Sequence, residues 1–302
     1  METQTININF SEDSVTALNV CLALIMFGVA LGIRPDHFYQ LRNDPKALIT
    51  GLFCQYILLP VITVALIHIL HPPDDIALGM ILVASCPGGN ASNFFSMLAK
   101  GHLALSVTLS AFTSVFCFLL TPLSFFLWSS MVPGLSLRVQ NFEISFFDLF
   151  LNMTAILLLP LIAGMSFARF FPKNTVRVEK ILRTVSMLIL VAFIGVALIK
   201  NLDVFKNHIL SVFWLVLLHN GLGLMGAYYF SMLLKNTEPV NRSVAIETGI
   251  QNSGLGLILI FTFFQGNGSM ALVAAWWGIW HLVSGFIFSY FIRRKNIPQT
   301  IS

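Results

Sequence analysis

The chain has 302 residues, of which 57% are hydrophobic and only 10% charged, and its mean hydropathy is +0.84. This composition excludes an ordinary soluble domain and indicates a membrane protein that crosses the bilayer several times. The net charge of +4 comes mostly from basic loops. We therefore expect contact with a lipid bilayer and no nucleic-acid partner.

Apolar segments of about 20 residues, the length that a bilayer core requires, recur along the whole chain. They predict an all-α polytopic membrane protein with nine transmembrane helices and short tails at 1–13 and 293–302. The predicted spans are 14–34, 47–70, 76–98, 103–128, 143–168, 184–201, 208–233, 243–265 and 270–292.

Basic residues are distributed unevenly between the two sides that nine spans define. One side would carry 14 of the 17 Lys and Arg, and the other only Arg138, Lys200 and Lys206. Because cytoplasmic loops are enriched in Lys and Arg, we expect the C-terminus in the cytoplasm and the N-terminus outside the cell membrane. The first 13 residues contain no Lys or Arg, so they lack the basic start of a cleavable signal peptide.

Polar and glycine-rich interruptions divide two of the predicted spans, at 85–93 and 247–256. Each interruption lies in the middle span of a trio, 47–128 in the first half of the chain and 208–292 in the second. The two trios would enter the membrane from opposite sides, which is the inverted-repeat pattern of secondary transporters. Broken helices in the two halves point to the binding site of such a transporter.

Glu247 is the only acidic residue well inside a predicted span, and no Lys or Arg is expected at membrane depth to pair with it. A buried carboxylate is costly in a bilayer, so a bound cation or a proton must compensate its charge. Gln251 follows four residues later, which predicts a shared helical face, and carbonyl groups near Gly249 would add oxygen ligands. These ligands suit an alkali cation; a protonated Glu247 that hydrogen-bonds a neighbouring helix is the alternative.

Hydroxyl and amide side chains form a second cluster near the first interruption. Ser106 and Ser110 are four residues apart, so they face the same way on a helix. Ser92 and Asn93 follow the sequence Pro87-Gly88-Gly89. These groups are candidate ligands, although serine in membrane helices also bonds its own backbone or packs helices closely.

The two interruptions also predict two half-helix starts, one near Asn90 and one after a break at Gly254-Leu255-Gly256. The N-terminus of a helix favours an anion, so an organic carboxylate or sulfate is the expected ligand where the two starts converge. Metalloprotease, nucleophile-elbow, Walker and CxxC motifs are absent, so an enzyme is not expected.

Three motifs together resemble the bile acid:sodium symporter family, in a bacterial-type form that lacks the first helix of the ten-helix relatives. The resemblance extends from about residue 20 to 292. The motifs are Cys86-Pro87-Gly88-Gly89-Asn90-Ala91-Ser92-Asn93, Ala104-Leu105-Ser106 and Glu247-Thr248-Gly249-Ile250-Gln251-Asn252-Ser253-Gly254.

The resemblance implies two crossing discontinuous helices in a core domain, formed by 47–128 and 208–292, and a panel domain formed by 14–34 and 143–201. It also implies two sodium ions behind the crossing, and no cofactor besides these coupling ions. The first sodium site would comprise Ser92, Asn93, Ser106, Ser110 and Glu247. The second would comprise Gln55, Glu247, Thr248, Ile250 and Gln251, with Thr248 and Ile250 acting through backbone carbonyls. The expected substrate-binding residues are Asn90, Ala91, Asn252, Ser253, Gly254 and His281.

The expected function is sodium-coupled import of an organic anion by a monomer in the inner membrane, through alternating access of the core against the panel. A proton-coupled or uncoupled carrier of small keto or hydroxy acids, such as pyruvate or pantoate, is an alternative. An intramembrane enzyme and a sensor are more distant ones. The residues do not choose between a steroid-like anion and a small acid.

Overall fold

The computed structural model describes residues 12–33, 44–89, 91–140, 142, 146–182, 184–185, 188 and 202–295. Over these residues the fold is all-α, and its one β-type pairing is an isolated bridge between Gly88 and Gln251. This agrees with the all-α polytopic membrane fold expected from the sequence. Asn90, both chain ends and most of the predicted span 184–201 lie outside the described residues.

The described helices include two that contain a π-helical turn, at Cys54–Leu58 within α2 and at Thr154–Leu158 within α8. The helices are α1 (Glu12–Leu31), α2 (Pro45–Leu70), α3 (Asp74–Ser85), α4 (Ala91–Leu98), α5 (Leu103–Val115), α6 (Cys117–Ser130), α7 (Leu135–Gln140), α8 (Phe146–Met153, Thr154–Leu158 and Leu159–Phe170), α9 (172–182), α10 (Leu202–Leu233), α11 (Glu238–Gly249), α12 (Ser253–Phe263) and α13 (Gly268–Ile292).

By length and composition, four segments of the described chain are able to cross a membrane: Pro45–Leu70, Phe150–Phe170, Val212–Leu233 and Gly268–Ile292. The predicted span 103–128 is instead a pair, α5 and α6, bent by 79° at Phe116. The two predicted broken spans consist of shorter helices on either side of an interruption. The total of nine spans therefore stays a prediction.

The first interruption separates α3 from α4. Helix α3 ends at Ser85, and Cys86 is extended, because a following proline disfavours helical backbone in the residue before it. Helix α4 begins at Ala91.

The second interruption separates α11 from α12. Helix α11 ends at Gly249, Ile250 is extended, and the side chain of Asn252 caps α12 by accepting the Leu255 N–H at 3.0 Å. The break predicted at Gly254-Leu255-Gly256 was therefore placed too late. Gly254 and Gly256 lie inside α12, because the capping side chain of Asn252 sets the start of that helix.

The two interruptions pair with each other in antiparallel fashion. The Gly89 N–H donates to the Ile250 carbonyl at 2.7 Å, and the Asn252 N–H donates to the Pro87 carbonyl at 2.9 Å. Each break thereby satisfies backbone groups of the other, which matters because an unpaired backbone group in a bilayer costs several kcal/mol. We call this paired region, residues 86–89 and 250–252, the crossover.

The rest of the described fold surrounds the crossover. Helices α4 and α5 pack on α11, α13 packs on α3, α10 and α12, and α6 packs on α3. Helix α1 lies along the second part of α8 and also contacts α12. The approach of α1 to α8 is close, since a Cβ atom on Gly164 would lie 2.6 Å from the Phe27 carbonyl oxygen.

A buried arginine joins three chain segments at one end of the molecule. Arg242 is fully buried in α11, where it pairs with Glu238 and donates to the carbonyl groups of Ala99 and Lys295 at 2.9 and 2.8 Å. The predicted span 243–265 begins one residue after Arg242, which left Arg242 in the preceding loop. It belongs to the helix because it finds a carboxylate one turn earlier and two carbonyl groups, which compensate the burial of its charge.

We predict that Gly89→Ala lowers the stability of the protein by about 1–3 kcal/mol, the usual cost of overpacking. The added Cβ atom would lie 2.9 Å from the backbone oxygen of Gln251, which the crossover holds in place. Gly221→Ala is the control, since its Cβ atom would meet no atom within 4 Å. Thermal unfolding of both variants in detergent tests this, and equal melting temperatures would contradict it.

Candidate functional site

The carboxylate of Glu247 is buried near the end of α11, which ends two residues later at Gly249, beside the crossover. Its exposed fraction is 3%. Oε1 accepts hydrogen bonds from the hydroxyls of Ser92 at 2.5 Å and of Ser106, and the Ser110 hydroxyl lies 3.1 Å from Oε1 and 2.9 Å from Oε2. One carboxylate is thus surrounded by three hydroxyl groups.

These hydroxyl groups come from α4 and α5. Ser92 lies in the first turn of α4, while Ser106 and Ser110 occupy one face of α5, as their spacing predicted. The Ser106 hydroxyl also lies 3.0 Å from Oδ1 of Asn93. The fold therefore brings the whole first set of candidate ligands into one cluster, which we call the Glu247 cluster: Ser92, Asn93, Ser106, Ser110 and Glu247.

The Glu247 cluster contains more oxygen lone pairs than protons. A hydroxyl has one proton, so Ser106 is unable to donate to Glu247 and Asn93 at the same time. The ion pairs found within the described residues involve Asp75 and Glu238, with Arg138, Arg242 and Lys295 as cations, and none reaches Glu247. An all-oxygen, negatively charged cluster of this kind suits a hard cation.

Two glutamine side chains meet on the α2 side of the crossover. Nε2 of Gln55 donates to Oε1 of Gln251 at 2.8 Å, and Nε2 of Gln251 donates back at 3.2 Å. Gln55 also donates to the Cys86 carbonyl, and Gln251 to the Thr248 carbonyl at 2.7 Å. The Ile250 carbonyl accepts the Gly89 N–H of the crossover.

The second set of candidate ligands is thus gathered at the crossover, but one expectation about it was wrong. Gln251 does not share a helical face with Glu247, because α11 ends at Gly249. Glu247 still faces this region through its second oxygen: a Cβ atom on Gly88 would lie 2.7 Å from Oε2. The carboxylate therefore lies between the hydroxyl groups and the crossover.

The starts of α4 and α12 both lie directly beside the crossover. Ala91, Asn252 and Gly254 are partly exposed there, and Ser253 is buried against α13, where a Cβ atom on Gly278 would lie 2.7 Å from its hydroxyl. His281 lies on the same helix, almost one turn beyond Gly278. Its Nδ1 atom is buried without a hydrogen-bond partner in the described structure. Asn90, also expected here, lies outside the described residues.

Asn220 of α10 contributes to the crossover although the sequence analysis assigned it no role. Its Nδ2 donates to the Gly249 carbonyl at 2.7 Å, which satisfies a backbone group at the end of α11. Neighbouring His219 bonds the Thr63 hydroxyl at 2.7 Å and contacts the ring of Trp277. In the sequence, this role was indicated only by the position of His219 and Asn220, two polar residues in the middle of the apolar span 208–233.

Comparisons with known proteins place the chain in a family. Residues 19–208 match the family model for the Sodium Bile acid symporter family. The uncharacterized sodium-dependent transporter YocS of Bacillus subtilis is 33% identical over 282 residues, which cover 92% of this chain and 83% of that protein.

More distant relatives come from plants and animals. The probable sodium/metabolite cotransporter BASS1 of Arabidopsis thaliana chloroplasts is 28% identical, over 93% of this chain and 67% of that protein. The human sodium-dependent organic anion transporter is 25% identical, over 92% of this chain and 74% of that protein. The chain therefore belongs to the sodium bile acid symporter family, and it is a sodium-coupled membrane transporter rather than an enzyme.

Proposed function

We propose that the chain imports an organic anion together with two sodium ions, which bind on either side of the Glu247 carboxylate. The observation that carries this proposal is the position of Glu247. It is a buried carboxylate without a basic partner in the described structure, surrounded by oxygen atoms and adjacent to the place where two broken helices meet.

The first sodium ion is proposed to bind within the Glu247 cluster. Its ligands are the Glu247 carboxylate, the hydroxyls of Ser92, Ser106 and Ser110, and the side-chain oxygen of Asn93. Each hydroxyl has lone pairs that remain available when its proton turns away. A monovalent cation in this cluster would neutralise the charge that burial makes costly.

The second sodium ion is proposed to bind between Glu247 Oε2 and the two glutamines. Gln55 and Gln251 bring amide oxygens, and the carbonyl groups of Thr248 and Ile250 each keep a second lone pair. The threonine is proposed to act through its backbone carbonyl, while its hydroxyl donates to the Val244 carbonyl at 2.9 Å. A shared carboxylate would make binding of the two ions interdependent.

The substrate is proposed to be an organic anion at the starts of α4 and α12, with Asn90, Ala91, Asn252, Ser253, Gly254 and His281 as the residues that contact it. Each helix start carries roughly +0.5 elementary charge, and both lie beside the proposed sodium ions. The names of relatives, which mention metabolites, organic anions and bile acids, agree with this class.

Transport is proposed to occur by movement of a core domain, 47–128 and 208–292, against a panel domain, 14–34 and 143–201. The crossover pairing and the Arg242 bonds hold the core helices together, which favours movement as a unit. The close approach of α1 to α8 does the same for the panel. The contact of α1 with α12 lies between the two proposed domains.

We predict that Glu247→Gln raises the sodium concentration needed for half-maximal thermal stabilisation at least about tenfold, because a hydrogen bond or contact to a charged group contributes about 1.5–3 kcal/mol. Ser110→Ala should raise it about threefold or more. Ser114, one turn further along α5 and also buried, is the matched control, and Ser114→Ala should change it less than about twofold. Unchanged sodium affinity in Glu247→Gln would contradict the role of the carboxylate as a sodium ligand. Stabilisation of the unmutated protein by low pH, with no stabilisation by sodium, would favour proton coupling.

We predict that sodium raises the affinity for a transported acid, because ions at the crossover order the backbone at both helix starts. By linkage, the acid raises sodium affinity by the same factor, and a coupling of about fivefold or more is expected. Titration of a panel of small acids and a bile acid at low and high sodium, with choline as replacement, measures this. Equal affinities at both concentrations would contradict coupling through the crossover.

We propose that the chain works as a monomer in the inner membrane, surrounded by lipid, with its N-terminus outside and its C-terminus in the cytoplasm. Arg242 supports a common side for the turn at Lys100 and the segment at Lys295, since it bonds the carbonyl groups of Ala99 and Lys295. Phe264, before the turn at Gly266, packs instead on Phe142, and Arg138 lies over the Phe142 ring and pairs with Asp75.

We predict that a reporter of cytoplasmic location is active when fused after Lys295 or inserted at Lys100, and inactive when inserted at Gly266. The reason is the excess of basic residues on the side of Lys100 and Lys295. A periplasmic reporter at the same three positions is the control and should give the opposite pattern. Equal activity at Lys100 and Gly266 would contradict the proposed topology.

A further inference from the structure

Helix α2 is widened at the point where Gln55 leaves it. Residues Cys54–Leu58 form a π-helical turn, in which the Leu59 N–H donates to the carbonyl of Cys54, five residues back. Pro60 follows directly. A proline inside an α-helix lacks the N–H for the carbonyl four residues earlier and its ring clashes with that carbonyl, so a widened turn accommodates it.

The carbonyl that Pro60 leaves without a helical donor belongs to Tyr56. It accepts a hydrogen bond from the indole Nε1 of Trp128 at 3.2 Å. Trp128 lies on α6, and only 7% of it is exposed. Because a bare carbonyl at membrane depth is costly, the indole stabilises the widened turn from a neighbouring helix.

The widened turn changes the direction of Gln55 relative to the second part of α2. A π-helical turn adds one residue, which shifts the two parts by about 100° around the axis. Gln55 and Thr63 are eight residues apart and would point about 80° apart on an uninterrupted helix, whereas the extra residue reduces this to about 20°. Both are buried in the core, with 3% and 0% exposure.

We propose that Pro60 and Trp128 are positioning residues for sodium binding, because the turn that they maintain directs Gln55 at the crossover. There, Gln55 contacts the Cys86 carbonyl and Gln251, both at 2.8 Å. Neither Pro60 nor Trp128 contacts an ion. This inference rests on the proposed second sodium site.

The chain contains a matched control for the widened turn that precedes Pro60. Helix α8 has a second π-helical turn, Thr154–Leu158, and Pro160 follows it at the same distance. The sequence Leu157-Leu158-Leu159-Pro160 parallels Ile57-Leu58-Leu59-Pro60, but Ala155 stands in the place that corresponds to Gln55. Pro160→Ala therefore alters the same kind of turn at a place where the position that corresponds to Gln55 carries only a methyl group.

The test measures thermal stabilisation by sodium, with potassium as replacement, for the purified full-length variants Pro60→Ala, Trp128→Phe, Gln55→Ala and Pro160→Ala. Pro60→Ala should raise the sodium midpoint about tenfold. Trp128→Phe should raise it about threefold, as expected for the loss of one net hydrogen bond. Pro160→Ala should change it less than about twofold. Trp128→Phe keeps the proline and most of the ring volume, so it remains informative if Pro60→Ala does not fold.

A double-mutant cycle separates positioning from general damage. Pro60→Ala combined with Gln55→Ala should bind sodium no more weakly than Gln55→Ala alone, because Pro60 acts through Gln55. Additive losses, or an equal loss in Pro160→Ala, would overturn the positioning role. If Gln55→Ala is impaired and Pro60→Ala is not, this inference alone fails. If Gln55→Ala binds sodium normally, the second sodium site itself fails, and the positioning role with it.

Discussion

The structure depends on one constraint, which is that a bilayer offers no water to backbone groups. Two helices are interrupted, and each interruption frees N–H and carbonyl groups at a depth where they would otherwise be unpaired. The crossover resolves this because Gly89 bonds Ile250 and Asn252 bonds Pro87. Asn220 satisfies a further carbonyl at Gly249. The two breaks are tolerated because the backbone groups of one form hydrogen bonds with those of the other.

The crossover also explains why the site is located where it is. It ends α11 two residues after Glu247 and starts α4 one residue before Ser92, so the carboxylate and the Ser92 hydroxyl meet there. Ser106 and Ser110 reach the same carboxylate from α5. Glycine is required at position 88 of the crossover, since a side chain there would occupy space beside Glu247 Oε2. Gln55 approaches from α2, where that helix is widened ahead of Pro60. The two helix breaks and the widened turn of α2 therefore all lie around the site of the Glu247 carboxylate.

Much of the candidate site was predictable because its signals are local. A carboxylate in an apolar span, serines four residues apart and a Pro-Gly-Gly sequence each have a direct physical meaning. The errors concern where helices end. Gln251 was assigned to the helical face of Glu247, and the second break was assigned to Gly254 and Gly256. In both cases the pairing of the two breaks and the Asn252 cap decided the boundary. The cap is local, but the pairing joins residues that are far apart in the chain.

Hydropathy, spacing and glycine content act within one segment, so the amino-acid sequence was sufficient to predict the membrane class, the two interrupted spans and the residue types of the site. Which oxygen atoms meet depends instead on how the helices pack. The fold placed Ser106 of α5 against Glu247, paired Gln55 with Gln251, bonded Arg242 to the Ala99 carbonyl and set Trp128 against the Tyr56 carbonyl. Each of these contacts spans tens of residues or depends on a neighbouring helix, and the geometry of a contact between two helices is set by how both of them pack.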